Sequence, residues 1–228
     1  MEGFDYIKSN YLSLLDEIRQ LSISAGREVA LVAVTKSGSD EELIALASAG
    51  VSHIGENRPG ELRRRGDLLR ERGYMPCLHE IGNLQRNKVK LIIESVDLIH
   101  SLDSLALAAE IDKQAKRVGR RVRVLIEVNS AREEQKGGIM PEDTEAFYKS
   151  LKEFSSIDVA GLMTMGPVCD DPEEIRPYFQ LTKELFDSMN KKGCFTDGIL
   201  SMGMSDSYRV AIEEGSTLVR VGRKLFVK

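Results

Sequence analysis

Short apolar runs rich in β-branched residues alternate with longer segments of helical periodicity along most of the chain. The first run ends just before Lys36, and after a small polar loop a segment with helically spaced apolar residues begins at Asp40. This order recurs at intervals of roughly 25 residues. The predicted strands are 29–34, 51–55, 77–82, 96–100, 122–128, 159–163, 199–202 and 218–221, and the predicted helices that follow them are 40–49, 58–71, 84–94, 104–117, 141–154, 172–190 and 206–213.

Residues 4–22 carry apolar side chains at helical spacing ahead of the first strand, which predicts an amphipathic leading helix. Eight strands alternating with helices are typical of a parallel sheet with helices outside it. A doubly wound open sheet rarely needs eight such strands in a chain this short, whereas a closed (β/α)8 barrel needs all of them and fits chains down to about 200 residues. We therefore predict one α/β domain over residues 1–228, a single (β/α)8 TIM barrel over 29–226 with an extra N-terminal helix within 1–25.

The composition limits the location and the partners of the protein. The chain has 228 residues, of which 42% are hydrophobic and 30% charged, and its formal net charge of -4 gives no sign of a nucleic-acid or anionic-membrane partner. The basic run Arg63, Arg64 and Arg65 is interpreted as a solvated helix face. The apolar runs are too short to span a bilayer, and the first residues lack the apolar segment of a signal peptide, so we expect a cytoplasmic protein.

The cysteines and histidines predict neither a disulfide framework nor a metal site. Cys77, Cys169 and Cys194 are few, odd in number and widely spaced, as reduced thiols of a cytosolic protein are. Their spacing does not match a zinc motif, either among themselves or with the three histidines. We expect no metal.

Polar residues cluster where the predicted strands end, which in this class of barrel is the face that carries the active site. Lys36 follows the first strand, Asn57 the second and Asn129 the fifth, and Arg220 lies in the eighth. Helix capping calls for small polar residues at such positions, not for lysine or arginine. A lysine held partly desolvated at a barrel mouth acts as an amine nucleophile toward a carbonyl, so Lys36 is the candidate nucleophile.

The ends of the seventh and eighth strands are rich in glycine. Ser201, Met202 and Gly203 precede a predicted helix, and Gly222 follows Arg220. Backbone N–H groups beside such glycines can cradle an anion, and barrels often hold phosphate after strands seven and eight. An amine opposite a phosphate site suggests a phosphorylated carbonyl compound. Two ligands fit that description, pyridoxal 5'-phosphate (PLP) and a phosphosugar held by an aldolase-type lysine.

The chain resembles the pyridoxal phosphate homeostasis protein family from about residue 29 to residue 226. The resemblance rests on "AVTK" (33–36), "GEN" (55–57), "HEIGNLQRNK" (79–88), "HSLDSLALA" (100–108), "VNSAREEQKGG" (128–138), "GLMTMG" (161–166), "SMGMS" (201–205) and "AIEEGSTLVRVG" (211–222). Each motif alone is modest, but their order and spacing are specific. The resemblance implies a barrel related to the N-terminal domain of bacterial alanine racemases and a role in vitamin B6 homeostasis.

The resemblance also implies roles for individual residues. Lys36 matches the lysine that holds PLP as a Schiff base, and Arg220 matches the arginine that faces the pyridine nitrogen. The segment that cradles the phosphate matches Ser201, Met202, Gly203, Gly222 and Arg223, and the motifs that line the pocket contain Asn57 and Asn83.

Four positions depart from the usual pattern of that family. Asn83 stands where a histidine is common, Leu78 where an aromatic residue is common, and Arg223 where a small hydroxyl residue is common. Asp206 lies one position earlier than the usual aspartate. None of these departures touches Lys36 or Arg220.

Three functions are compatible with these residues. The first is a PLP-binding protein without robust catalysis that passes PLP to apo-enzymes, expected to be a monomer because a closed barrel has no free sheet edge. The second is a PLP-dependent racemase or a related enzyme, which would need an acid or base on the open face of the ring. The third is a phosphosugar aldolase, which usually wants a carboxylate near its lysine, and Asp40 is the nearest after the first strand. An arginine facing the ring nitrogen makes a poorer electron sink than a carboxylate, which favours the binding protein.

Overall fold

The protein is a closed barrel of eight parallel strands in sequence order, which confirms the predicted TIM-barrel fold. A computed structural model describes residues 3–133 and 135–228. The strands are β1 Ala30–Val34, β2 His53–Glu56, β3 Cys77–Glu80, β4 Leu98–Leu102, β5 Val122–Glu127, β6 Ile157–Met163, β7 Ile199–Ser201 and β8 Leu218–Val221. The barrel closes where β1 pairs with β8, with Leu31 opposite Val219.

Helices follow the strands on the outside, as the hydrophobic pattern predicts. They are α1 Asp5–Ala25, α2 Asp40–Ser48, α3 Pro59–Glu71, α4 Val89–Ile92, α5 Leu105–Arg117, α6 Thr144–Leu151, α7 Arg176–Lys191 and α8 Tyr208–Glu213. The helix predicted over 84–94 is wrong in extent, because a 3-10 turn at Arg86–Lys88 precedes the short α4. Residues 85–88 are exposed, so no core contact stabilises a longer helix there.

Local signals fix the segment that follows Lys36. Ser39 and Glu42 form a capping box, in which the Ser39 hydroxyl accepts from the Glu42 N–H at 3.2 Å and the Glu42 carboxylate accepts from the Ser39 N–H at 2.7 Å. The capping box therefore fixes where α2 begins, just after the turn that carries Lys36.

The leading helix α1 closes the outside of the barrel near the β8–β1 seam. It packs against α2 and α8, and its Asn10 amide donates to the carbonyls of Leu225 and Val227 at 3.3 and 2.8 Å. It thereby holds the 3-10 turn Arg223–Leu225 that follows β8.

The barrel has two apolar layers. The larger one lies between the sheet and the helices, and a smaller cluster lies inside the barrel with Val32, Leu98, Leu125, Ala160, Met163 and Leu218. Buried polar side chains share the barrel interior with this cluster, among them His79, His100 and Arg220. In this class of barrel the chemistry lies at the carboxyl ends of the strands.

Candidate functional site

Lys36 lies at the rim of the barrel, beyond the last paired residue of β1. Its side chain is exposed, so the predicted partial desolvation is wrong for the chain by itself. The backbone around it is fixed, because the Thr35 N–H donates to the Gly55 carbonyl at 3.1 Å and the Gly38 N–H donates to the Thr35 carbonyl at 2.9 Å. Lys36 thus presents an exposed amine on a turn that backbone hydrogen bonds hold in place.

A buried ion pair behind the sheet holds that turn. Arg65 of α3 donates from Nη1 to the Thr35 carbonyl at 2.5 Å and from Nη2 to the Gly38 carbonyl at 2.7 Å. Its Nη1 also lies 2.9 Å from Oε1 of Glu56, which accepts from the Thr35 hydroxyl at 2.5 Å. The side chain of Arg65 is only 8% exposed. The interpretation of the arginine run as a solvated face is therefore wrong for Arg65, which the pitch of α3 turns toward the end of β2.

Arg220 is the second cation of the site and is buried inside the barrel. Its Nη1 donates to the Ser201 hydroxyl at 2.5 Å, and its Nη2 donates to the Thr164 carbonyl at 3.2 Å. Burial lowers the pKa of Arg220 to about 10, so the guanidinium keeps its charge at neutral pH. Because Arg220 is in register with Val32 of β1, it lies on the strand next to the one that leads to Lys36.

Buried carboxyl groups end three of the strands, and the sequence analysis did not single them out. Glu56, Glu80 and Glu127 are the last residues of β2, β3 and β5. Burial raises the pKa of Glu80 to about 8 and that of Glu127 to about 7. The Oε2 atom of Glu80 has no hydrogen-bond partner among the described residues. The sequence could have indicated these three glutamates, because an acidic residue at the end of an apolar strand is unusual in a protein core.

The two glycines of the predicted phosphate cradle lie where the backbone requires glycine. Gly203 has φ 95°, and a Cβ there would lie 2.5 Å from the Ala211 Cβ. A Cβ on Gly222 would lie 2.9 Å from the Val34 carbonyl oxygen. The loop after β8 therefore presses against the end of β1, close to the turn that carries Lys36.

Ser201 and Met202, which were predicted to belong to the segment that cradles the phosphate, make polar contacts within the protein. The Ser201 hydroxyl is fully buried and bonded inside the barrel to Arg220 and His100. The Met202 side chain is buried in the outer core, and its N–H donates to the Leu218 carbonyl at 3.2 Å. Since their polar groups are already engaged, the described contacts leave the glycine backbones as the candidate cradle.

Arg223, Asn57 and Asn83 are exposed at the carboxyl face. Arg223 forms an ion pair with Asp206, the aspartate that stands one position early. Asn57 and Asn83 together line a cavity of about 320 Å³, with Arg58, Pro59, Gly60, Gln85, Lys88 and Leu91. Neither Lys36 nor Arg220 lines that cavity, so the cavity does not include the Lys36 site.

Asn129 has a structural role at the end of β5. It is buried, and its amide donates to the Glu133 carbonyl at 2.9 Å. Its own N–H donates to the Ile139 carbonyl at 2.9 Å. The loop after β5 is therefore tied back to the strand end.

Two features are absent from residues 3–133 and 135–228. No helix there is both long and apolar enough to cross a membrane. No group of three or more histidine, cysteine or acidic side chains there is placed to hold a metal ion.

Comparisons with known proteins agree with this geometry. The family described as "Alanine racemase, N-terminal domain" matches residues 10–227. A pyridoxal phosphate homeostasis protein of Aquifex aeolicus is 39% identical over 216 residues, covering 93% of this chain and 94% of that one. The homeostasis protein of Schizosaccharomyces pombe is 34% identical and covers 94% and 91%. The structure of PipY from Synechococcus elongatus with PLP bound superposes with a TM-score of 0.83 at 28% identity, covering 97% and 100%.

Proposed function

Because the chain belongs to the alanine racemase N-terminal domain family, among the pyridoxal phosphate homeostasis proteins, we propose that it binds PLP through Lys36 and acts in intracellular PLP homeostasis. PipY, which is similar over nearly its whole length, has been solved with PLP bound. The chain's own residues supply the chemical support for the proposal.

The observation that carries the proposal is the pairing of an exposed amine with a buried guanidinium on adjacent strands. PLP has an aldehyde that a lysine amine can attack, a ring nitrogen and a phosphate. Lys36 can reach the aldehyde from the rim, since its side chain is exposed. Arg220 can only donate hydrogen bonds, so it suits a ring nitrogen that accepts one. The backbone at Gly203 and Gly222 suits the phosphate, because neither residue carries a side chain that would cover it.

A carrier role follows from the same residues. An unprotonated ring nitrogen opposite Arg220 draws electrons weakly, so carbanions next to the ring gain little stabilisation. We propose a single-domain monomer in the cytoplasm that holds PLP and releases it to PLP-dependent apo-enzymes. Its own catalysis is absent or weak.

A weak racemase is the second candidate, and Glu127 favours it. Burial raises the pKa of this carboxyl to about 7, near the value that suits proton transfer at neutral pH. Chiral chromatography of amino acids incubated with the PLP-loaded protein tests this function. Racemisation that is lost in Glu127→Gln would support the enzyme over the carrier.

The first experiment is absorbance spectroscopy of the full chain with PLP, followed by borohydride and peptide mass mapping. We expect a visible band that borohydride removes, with a pyridoxyl group fixed on Lys36. Lys36→Ala should abolish the band, and Lys90→Ala, an exposed lysine of α4, should keep it. A protein that stays colourless with PLP would refute the proposal, and phosphosugars would then be tested on Lys36.

A further inference from the structure

All three histidines of the chain lie in one hydrogen-bonded line inside the barrel. The Nδ1 atom of His53 is 3.0 Å from Nε2 of His79, and Nδ1 of His79 is 2.9 Å from Nε2 of His100. Nδ1 of His100 is 3.1 Å from the Ser201 hydroxyl, which accepts from Arg220 at 2.5 Å. We call these three side chains the histidine relay. It ends on the guanidinium that the proposed function places at the ring nitrogen.

The register of the sheet explains how the histidine relay crosses the barrel. His53 of β2 is paired with Cys77 of β3, and His79 is two residues further along that strand. His79 is paired with Leu98 of β4, and His100 is again two residues further along. Side chains two residues apart share a face of a strand, so all three point into the barrel. The line climbs from the amino end, where His53 is half-buried, to the fully buried His100 near Arg220.

Hydrogen-bond chemistry gives the histidine relay one direction. Arg220 has only donors, so the Ser201 oxygen accepts from it. The hydroxyl has one hydrogen, and within residues 3–133 and 135–228 its other partner is Nδ1 of His100. The hydroxyl must donate there, which puts the hydrogen of the neutral His100 ring on Nε2.

The positions of the hydrogens on His79 and His53 follow from that of His100. Nε2–H of His100 donates to Nδ1 of His79, and Nε2–H of His79 donates to Nδ1 of His53. The reverse direction would give Ser201 a second donor and leave its own hydrogen without an acceptor. Every ring is therefore expected in the neutral form with its hydrogen on Nε2, and His53 directs its free N–H away from the line.

The surrounding charges agree with neutral rings. Burial lowers the pKa of His79 to about 3 and holds that of His100 well below its ordinary value, and the Arg220 charge acts on His100 in the same direction. Burial and the Arg123 charge lower the pKa of His53, against the opposing effect of Asp97. The thiol of Cys77 is the other titratable group beside His53 in the sheet.

We propose that His53, His79 and His100 are positioning residues, a polarised hydrogen-bond relay that keeps Ser201 an acceptor and so fixes the guanidinium of Arg220 for the ligand. The direction of the relay is a property of the chain alone, and its role toward PLP rests on the proposed function. Each hydrogen bond in such a line polarises the next one. Replacing His53 should therefore alter the hydrogen bonding of Arg220 through the buried rings of His79 and His100.

The direction is tested by NMR on the full chain labelled with 15N-histidine, without added PLP. Long-range 15N–1H spectra distinguish a hydrogen on Nδ1 from one on Nε2, and three histidines give a simple spectrum. We expect all three rings neutral with Nε2–H near neutral pH. A hydrogen on Nδ1 of His79 or His100 would overturn the relay.

The positioning role is tested at His53, the half-buried end of the histidine relay. In His53→Leu the Nε2–H of His79 loses its acceptor, and we expect the affinity for PLP to fall roughly three- to tenfold. In His53→Gln the amide oxygen can accept that hydrogen bond, so the affinity and the tautomers of His79 and His100 should stay as in the wild type. Cys77→Ser, which changes the neighbouring side chain but not the relay, should also bind as the wild type does.

The outcomes separate the two proposals. Wild-type affinity in His53→Leu, or equal losses in the leucine and glutamine variants, would overturn the positioning role. A wild-type chain that does not bind PLP would refute the proposed function and the role of the relay toward PLP, while the NMR spectrum alone decides whether the relay exists. Circular dichroism of each variant shows whether it is folded.

Discussion

Lys36 follows β1 and Arg220 lies in the neighbouring β8, yet the protein fixes them in opposite ways. Lys36 is exposed, and what is held in place is its backbone, through Arg65 and Glu56 on the outer side of the sheet. Arg220 is buried, and what is held in place is its side chain, through Ser201 and Thr164 inside the barrel. A nucleophile must move to reach a carbonyl, whereas a hydrogen-bond donor works best when it is already oriented. Each residue is therefore held at the part that its proposed role requires to be fixed, the backbone for Lys36 and the side chain for Arg220.

The largest expected effect on stability concerns the buried pair of Arg65 and Glu56, which holds the turn of Lys36 and is called the outer anchor here. Arg65→Met leaves Glu56 buried without its partner and removes two hydrogen bonds to the turn, so the free energy of unfolding should fall by about 3 to 5 kcal/mol. Urea denaturation measures this. Arg64→Met is the matched control from the same run, since its ion pairs with Asp40 and Glu61 are exposed and should contribute about 1 kcal/mol or less. Equal losses in the two variants would contradict the anchor.

The next effect is on the affinity for PLP and concerns the contacts of Arg220 with Ser201 and Thr164, the inner anchor. Arg220→Lys keeps a positive charge but cannot reproduce the fork that binds Ser201 and Thr164 together, so the affinity for PLP should fall about tenfold. A spectroscopic titration with PLP measures it. Arg209→Lys, on the exposed side of α8, should bind as the wild type does. An unchanged affinity in Arg220→Lys would show that charge alone matters at this position.

A pH-dependent effect is expected at Glu80, a buried carboxyl near Glu56 whose Oε2 atom has no hydrogen-bond partner among the described residues. Its pKa is raised from 4.5 to about 8 by burial, so the folded chain holds a proton that the unfolded chain releases. Its contribution to stability is therefore fully present below about pH 4.5 and is lost as the pH rises through about 8. Glu80→Gln cannot ionise, so its stability relative to the wild type should increase from about pH 5 to about pH 9.

Urea denaturation across that pH range measures the difference. The exposed Glu71→Gln on α3 serves as the control and should follow the wild-type curve. A constant difference between Glu80→Gln and the wild type would show that Glu80 keeps the same protonation in both states.

The sequence predicted the barrel well because its information is local. Strand β8 begins and ends at the predicted residues, since apolar β-branched residues bounded by polar ones define it. The sequence also singled out Lys36 and Arg220 as candidate site residues, because a cation at the end of an apolar strand is unusual. The rest depends on contacts between distant segments. Nothing in three consecutive arginines distinguishes Arg65 from its neighbours until the end of β2 lies beneath it. The histidines are likewise far apart along the chain, and only the strand register brings them into line.

The pairing of β1 with β8 has a consequence for how the protein is made. A ribosome delivers Lys36 long before Arg220 and Gly222, because synthesis runs from the amino end. During that interval the emerging polypeptide carries the Lys36 amine without Arg220 and without Gly203 and Gly222, the residues proposed to recognise PLP. Under the proposed function, selective capture of the PLP aldehyde therefore begins only when translation has passed residue 222 and β1 has paired with β8. Under the same proposal, a chain cut short before that point should expose the Lys36 amine without the residues that make its reaction selective.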